Sequence, residues 1–360
     1  MKKNLRFGFA SIILMAVVFG CGQKGTIKIG AVLPLTGDAA QAGLNTKLGM
    51  DLAVEEINNT GGLNGRKIEI VYEDCQGQPK LAVSAMQKLA EVDKVPAVVD
   101  NSLSTVTLSI APVAEAKKVV VLATGASSPK ISSAGDYIFR IWNSDDLEGE
   151  VMAGYTVDSL KLGQISVLYI NNDYGLGLQG VFQKNVETQG GRLVAQEVFQ
   201  PGSKDFKNEL TKLLKNKSQA IYLVGYPTEC SGIIKQLKRF GYRGLILGTI
   251  VMADPIVQQA LKETGYVCYY PVPKQPDLQN PSIAKFIEAF KKKYQKDPPM
   301  LADVGYDAVK LIAMGISSTQ EYRGETIKNY FYGMQGYGGA SGYLKFDKNG
   351  DVKKPVVVVK

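Results

Sequence analysis

Residues 95–128 read VPAVVDNSLSTVTLSIAPVAEAKKVVVLATGASS. Two short apolar runs, AVV at 97–99 and VVVLA at 119–123, each break into hydroxyls. Between them, TLSIAPVAEAKK reads as a helix. Bare apolar runs of this length suit strands buried on both faces, and strand–helix–strand is the unit of a parallel sheet. The first cluster holds Ser102, Ser104, Thr105, Thr107 and Ser109; the second holds Thr124, Ser127 and Ser128. N-capping accounts for one hydroxyl per helix. Two clusters side by side at the ends of neighbouring strands also fit an anion cradle. Helix N-terminal N–H groups and hydroxyls can hold a carboxylate without a cationic side chain. The residues alone leave both accounts open.

The same alternation extends outward. TIKIGAVLPL is a strand, and LNTKLGMDLAVEEIN a helix with Leu44, Leu48, Leu52, then Ala53 and Ile57 as its apolar stripe. Gly61 and Gly62 end it. RKIEIVYED is a strand and KLAVSAMQKLAEV a helix. The pattern then restarts with QISVLYIN, LQGVFQKNVETQ, RLVAQEVF, DFKNELTKLLKN and QAIYLVG. It continues through a helix face of Ile233, Leu237 and Phe240, then LILGT, VQQALKET and YVCYYPVP. Two such series predict an α/β protein of two doubly wound parallel-sheet lobes. Ligands of such sheets bind beyond the carboxyl ends of strands, so the cleft between lobes is the expected site. Two helices follow, at SIAKFIEAFKKKY and ADVGYDAVKLIAMGI, and GYLKFDKNGDVKKPVVVVK reads as a hairpin.

Composition narrows the chemistry. The chain has 360 residues and no histidine, which excludes a His-based triad, a His general base and His-ligated zinc. Its 4 cysteines include no CxxC pair, which argues against a zinc site or a disulfide scaffold. The formal charge of +8 is scattered. Lys291–Lys293 is the only run and reads as a solvated helix face, so nucleic-acid binding has no support. Lys2, Lys3 and Arg6 precede the apolar run Phe7–Phe19, too short to span a bilayer. Residues 1–20 therefore read as a signal peptide, and VFGC as a lipobox with Cys21 as the lipidated mature N-terminus. A plain cleaved signal is the alternative. Of the remaining Cys75, Cys230 and Cys268 at least one is free, and Cys230 with Cys268 could pair.

Two motifs compete for attention. GLGLQG at 175–180 places Gly175, Gly177 and Gly180 in a GxGxxG pattern, but NNDY separates it from its strand. DKNGD at 347–351 has its glycine at the wrong position for a calcium loop and Val358 where the closing glutamate belongs; a β-turn over Asn349-Gly350 fits better. No cofactor or metal is expected.

GLNTKLGMDLAVEEINNTGGLNGRKIEIVYED, the Ser104 and Ser127 clusters, NNDYGLG and GYLKFDKNGD stand in one order. Together they resemble the branched-chain amino-acid (Leu/Ile/Val) binding proteins of ABC transporters, which are type I periplasmic binding proteins. The resemblance implies a Venus-flytrap of two lobes joined by a three-crossover hinge: residues 26–142 with 274–351, and 143–273 with 352–360. It implies no enzyme activity, an exported location in the periplasm or on the outer face of the cell membrane, and an ABC permease as partner. It also implies a small carboxylate-bearing ligand, by default a branched-chain or related amino acid. Carried over by position, Ser104 would hold the ligand carboxylate through hydroxyl and N–H. Ser127 would bind carboxylate and amine, and the Gly125 carbonyl the amine. Tyr174 and Tyr226 would be pocket aromatics.

Two departures matter. Ile250 stands where the family places the glutamate that pairs with the ligand ammonium. An unpaired ammonium in a dry cleft costs several kcal/mol. Either Asp100, Asp254 or Asp303 substitutes, or the ligand is an aromatic or aliphatic carboxylate or a small amide. Ala42 replaces a pocket aromatic and widens the space. Cys75 matches a disulfide cysteine of some members, but its partner position is Leu103. A ligand sensor of the same fold and a dinucleotide enzyme using the glycine loop are the competing classes.

Overall fold

The computed structural model describes residues 25–274, 278–319 and 321–360. The signal segment and Cys21 lie outside them. The chain begins with β1 (Ile27–Leu33), α1 (Ala40–Asn59), β2 (Ile68–Asp74), α2 (Pro79–Glu91), β3 (Ala97–Asp100), α3 (Ser104–Lys117), β4 (Val120–Ala123) and β5 (Ile138–Arg140). These five strands form one sheet in the order β2-β1-β3-β4-β5, all parallel. Every residue of β3 and β4 is buried, as their unbroken apolar sequence requires.

The series restarts with α4 (Asp145–Gly154), β6 (Gln164–Ile170), α5 (Asp173–Thr188), β7 (Arg192–Phe199), α6 (Lys207–Leu214), β8 (Ala220–Val224), α7 (Pro227–Arg239), β9 (Leu245–Leu247), α8 (Pro255–Thr264) and β10 (Cys268–Pro273). α9 (Pro281–Tyr294), α10 (Ala302–Thr319), α11 (Gly324–Gly333), β11 (Tyr337–Gly339) and β12 (Gly342–Leu344) return to the first lobe, where α9 and α10 pack on α1. β13 (Val356–Val359) crosses back and closes the second sheet, ordered β13-β10-β9-β8-β6-β7. The chain thus passes between the sheets three times.

Several local readings need correction. The terminal segment is not one hairpin. Gly342–Leu344 pairs with Tyr337–Gly339, whereas Val356–Val359 runs antiparallel to β10 in the other lobe. The intervening Lys353–Pro355 makes the crossing. The stripe of α1 holds at Leu52, Ala53 and Ile57 and fails at Leu44, which is exposed, while Gly43, Thr46, Gly49 and Met50 are buried as well. α10 lies so close that a Cβ on Gly49 would stand 1.7 Å from the Ala302 carbonyl oxygen. Close helix approach shapes the first half of that face. Phe240 caps α7 and is half exposed rather than part of its buried face. Cys75, Cys230 and Cys268 are all buried free thiols, so the Cys230–Cys268 pair does not form.

Candidate ligand-binding cleft

In both sheets the strand order reverses beside the first strand, between β1 and β3 and between β6 and β8. Such switch points open a crevice at the carboxyl ends of the strands. The two crevices face each other across a cavity of about 180 Å³. The walls are largely apolar: Pro34, Ala42, Leu103, Pro227, Val251 and Leu301 contribute. Ser104, Gly125, Ser127, Tyr174, Tyr226 and Ile250 all line this one cavity.

The register of β3 on β4 places Asp100 beside Ala123, which sets the two hydroxyl clusters side by side. Each hydroxyl of the first cluster has its own task, and none is the N-cap of α3; that residue is Leu103. Ser102 and Thr107 both donate to the Asp100 carboxylate. Thr105 accepts from the Asp173 N–H of the second lobe at 3.4 Å. Ser109 donates to the Val106 carbonyl at 2.7 Å. The Ser104 oxygen accepts from the N–H groups of Ser127 at 3.2 Å and Ser128 at 3.1 Å. The Ser104 proton stays available to an acceptor in the cavity, and the first N–H groups of α3 have no intrahelical acceptor. In this arrangement the Ser127 N–H serves Ser104, not the open cleft.

Arg140 fixes the second cluster from behind. Its guanidinium is fully buried, pairs with Asp351 at 2.8 Å and donates to the carbonyls of Ser127 at 2.8 Å and Ser128 at 3.0 Å. The DKNGD turn supplies that partner. Asp347 accepts from the N–H groups of Asn349 and Asp351, and Gly350 takes φ 77. This segment is a structural turn; its carboxylates are committed within the chain.

The second lobe brings rings and acids. Tyr174 and Tyr226 stack with centroids 5.7 Å apart, and Tyr226 accepts from Asn172 at 3.1 Å. The lobes touch: Lys130 pairs with Asp173 at 2.8 Å, and a Cβ on Gly177 would stand 2.8 Å from Pro129. Two glycines of GLGLQG, Gly175 and Gly177, serve close packing, while Gly180 faces open space. A Cβ on Gly175 would meet the Ile170 carbonyl oxygen at 2.0 Å.

Of the carboxylates considered as ammonium partners, Asp100 is buried away from the cavity wall with both oxygens occupied. Burial pushes it up to about 6, with the two hydroxyls offsetting part of the shift. Asp303 lies outside the cavity lining, facing Lys354. Asp254 lines the cavity but caps α8, accepting from the Ile256 N–H at 2.9 Å. Sequence reasoning missed three residues here. Trp142, in the first crossover, and Glu148 line the cavity, and Asp145 lies buried on the same helix as Glu148. Trp142 is the chain's single tryptophan and lines the same cavity as Ala42. A lone tryptophan before the polar NSDD was the available signal.

With this geometry in place, the comparisons decide the family. The family described as periplasmic binding protein matches residues 26–360. The chain belongs to it. A leucine-, isoleucine-, valine-, threonine- and alanine-binding protein of Pseudomonas aeruginosa is 30% identical over 96% of this chain and 90% of its own. A leucine-binding protein of Thermotoga maritima superposes with a TM-score of 0.85 at 28% identity, over 92% of this chain and 95% of that one. An isoleucine complex of a branched-chain amino-acid transporter substrate-binding protein from Streptococcus pneumoniae gives 0.82 at 27%, over 92% and 95%. The present molecule is accordingly an exported, periplasmic solute-binding protein of the ABC-transporter kind and not an enzyme.

Proposed function

We propose that this binding protein captures a small carboxylate-bearing solute with an apolar body, by default a branched-chain or related amino acid, and delivers it to an ABC permease. Cys21 would anchor it to the membrane by lipid. The observation that carries the reading is the Ser104 hydroxyl at the N-terminus of α3, aimed into an apolar cavity that Tyr174 and Tyr226 close from the other lobe. Donors there can neutralise a carboxylate, and apolar walls can bury the body of the ligand. The binding named for the Pseudomonas and Thermotoga relatives supports the default. Closure then follows from ligand contacts to both lobes, which favour the closed population.

A second reading, a carboxylate or amide without an ammonium group, draws its support from Ile250. Calorimetric titration with leucine, phenylalanine, benzoate and a short amide separates the two. Binding of a carboxylate that is lost in Ser104→Ala supports the cradle; failure of every carboxylate to bind refutes it.

A further inference from the structure

The crossover from β5 delivers the chain directly into α4. Ser144 caps that helix, accepting from the Asp146 N–H at 3.3 Å. Asp145 and Glu148, three residues apart, share one helix face. Asp145 is fully buried and Glu148 is 9% exposed. Glu148 lines the cavity with Ser104, Ser127, Trp142 and Tyr174. One of its oxygens accepts from the Ile250 N–H at 3.3 Å, at the position where the resemblance expects a glutamate side chain. Among the described residues no hydrogen bond reaches its other oxygen. Neither Asp145 oxygen makes a hydrogen bond of ordinary geometry, although the Ser127 hydroxyl stands beside it, and the buried hydroxyls of Tyr174 and Tyr222 make none either, that of Tyr174 lying near Thr249.

Among the described residues no cation pairs directly with these acids, although the buried Arg140 charge acts on Asp145. The Arg140 guanidinium is occupied by Asp351, Ser132 and the Ser127 and Ser128 carbonyls. Lys354 lines an adjoining hinge cavity with Glu148, but its Nζ bonds Ser341 at 3.0 Å and faces Asp303 and Asp307. Asp146 on α4 and Asp254 on the cavity wall add only negative charge. The N-terminus of α4 offers partial compensation. Two buried carboxyls in such a place are neutralised either by protons or by a cation that enters the cleft. Burial pushes both carboxyls upward, toward the protonated form, with the Ser127 hydroxyl and the Arg140 charge offsetting part of the shift at Asp145.

We infer that Glu148, backed by Asp145, is the counter-charge for an ammonium group on the ligand, replacing the acid missing at Ile250. This rests on the proposed carboxylate cradle and narrows its ligand to zwitterionic amino acids. Ser104 and Glu148 line the same cavity, with Ser127 joined to the acid pair through the Asp145 N–H at 2.8 Å, and Trp142, Tyr174 and Tyr226 complete the walls.

The test titrates the purified protein by Trp142 fluorescence and calorimetry. Ligands are amino acids, each paired with its des-amino acid and its decarboxylated amine, such as leucine, 4-methylpentanoate and 3-methylbutylamine. The proposal expects an amino acid to bind at least 100-fold more tightly than its des-amino partner. It expects Glu148→Gln, which is isosteric and cannot ionise to meet an ammonium, to collapse that ratio to below tenfold while circular dichroism stays unchanged. A merely structural role for Glu148 would leave the ratio intact, and that result overturns the proposal. Equal binding of amino acid and des-amino acid by the parent protein also overturns it, while the carboxylate cradle survives. Binding of the amine without its carboxylate refutes the cradle and retains Glu148. Binding of no member refutes both.

Discussion

The two lobes share a strand order about the cleft yet present opposite chemistry to it. The first lobe offers hydroxyls and helix N–H groups held in an internal network, with the Ser104 proton free and the buried Ser128 hydroxyl unpartnered: Asp100 holds Ser102 and Thr107, Ser104 holds the 127–128 loop, and Arg140 holds the same loop from behind. The second lobe offers aromatic rings and carboxyls with partners missing at Asp145, Tyr174 and Tyr222. A satisfied network is rigid, while unsatisfied buried polar groups gain most from an incoming ligand. The first lobe is therefore the preformed receptor, and the second is the half whose electrostatics the ligand completes.

Breaking the rigid half has the largest effect. Asp351→Asn leaves Arg140 as an unpaired buried charge and lowers stability by about 3–5 kcal/mol, read as a fall in urea midpoint. Ser104→Ala removes the acceptor of two N–H groups and the cavity donor, and weakens carboxylate binding by roughly 10–100-fold in calorimetry.

Titration sharpens the comparison. The raised Asp145 and Glu148 carboxyls bind more protons folded than unfolded, so their contribution to the empty protein is full below the ordinary carboxylate range. It is lost as pH rises toward their raised values. Thermal midpoints of the empty protein should fall over that window. An ammonium ligand releases the protons, so its affinity should rise by up to about tenfold per pH unit there. A flat affinity profile would show that the pair is not engaged.

Gly177→Val puts a side chain against Pro129 and holds the lobes apart. Affinity should fall about tenfold with the empty protein equally stable, a shift of population alone. The smallest effect is expected from Lys130→Ala. Its exposed pair with Asp173 is worth ~0–1 kcal/mol, so binding should change by less than about fivefold.

Most of the fold was legible because buried parallel strands announce themselves as bare apolar runs, as at 97–99 and 119–123. Legibility failed where tertiary contact overrode local pattern. Gly49 and Gly305 bring α1 and α10 into backbone contact, which no leucine stripe reveals. The tail reads as a hairpin because strand propensity does not say which sheet Val356–Val359 will join. In the site, the Ser104 cluster shows in its place after a strand, whereas Tyr174 and Tyr226 were expected only through the family resemblance. Trp142, Asp145 and Glu148 were not, because they sit in a crossover and the first turn of a helix. There acidic residues ordinarily read as first-turn charges favoured by the helix dipole. Only the folded chain shows Asp145 buried and Glu148 turned to the cleft.

The most direct measurement is a crystal structure of the complex with a tightly bound amino acid. The account predicts one ligand carboxylate oxygen about 3 Å from the Ser104 hydroxyl and the ligand nitrogen about 3 Å from a Glu148 oxygen. A carboxylate bound away from Ser104, or a ligand nitrogen paired with some other group while Glu148 stays apart, would contradict it.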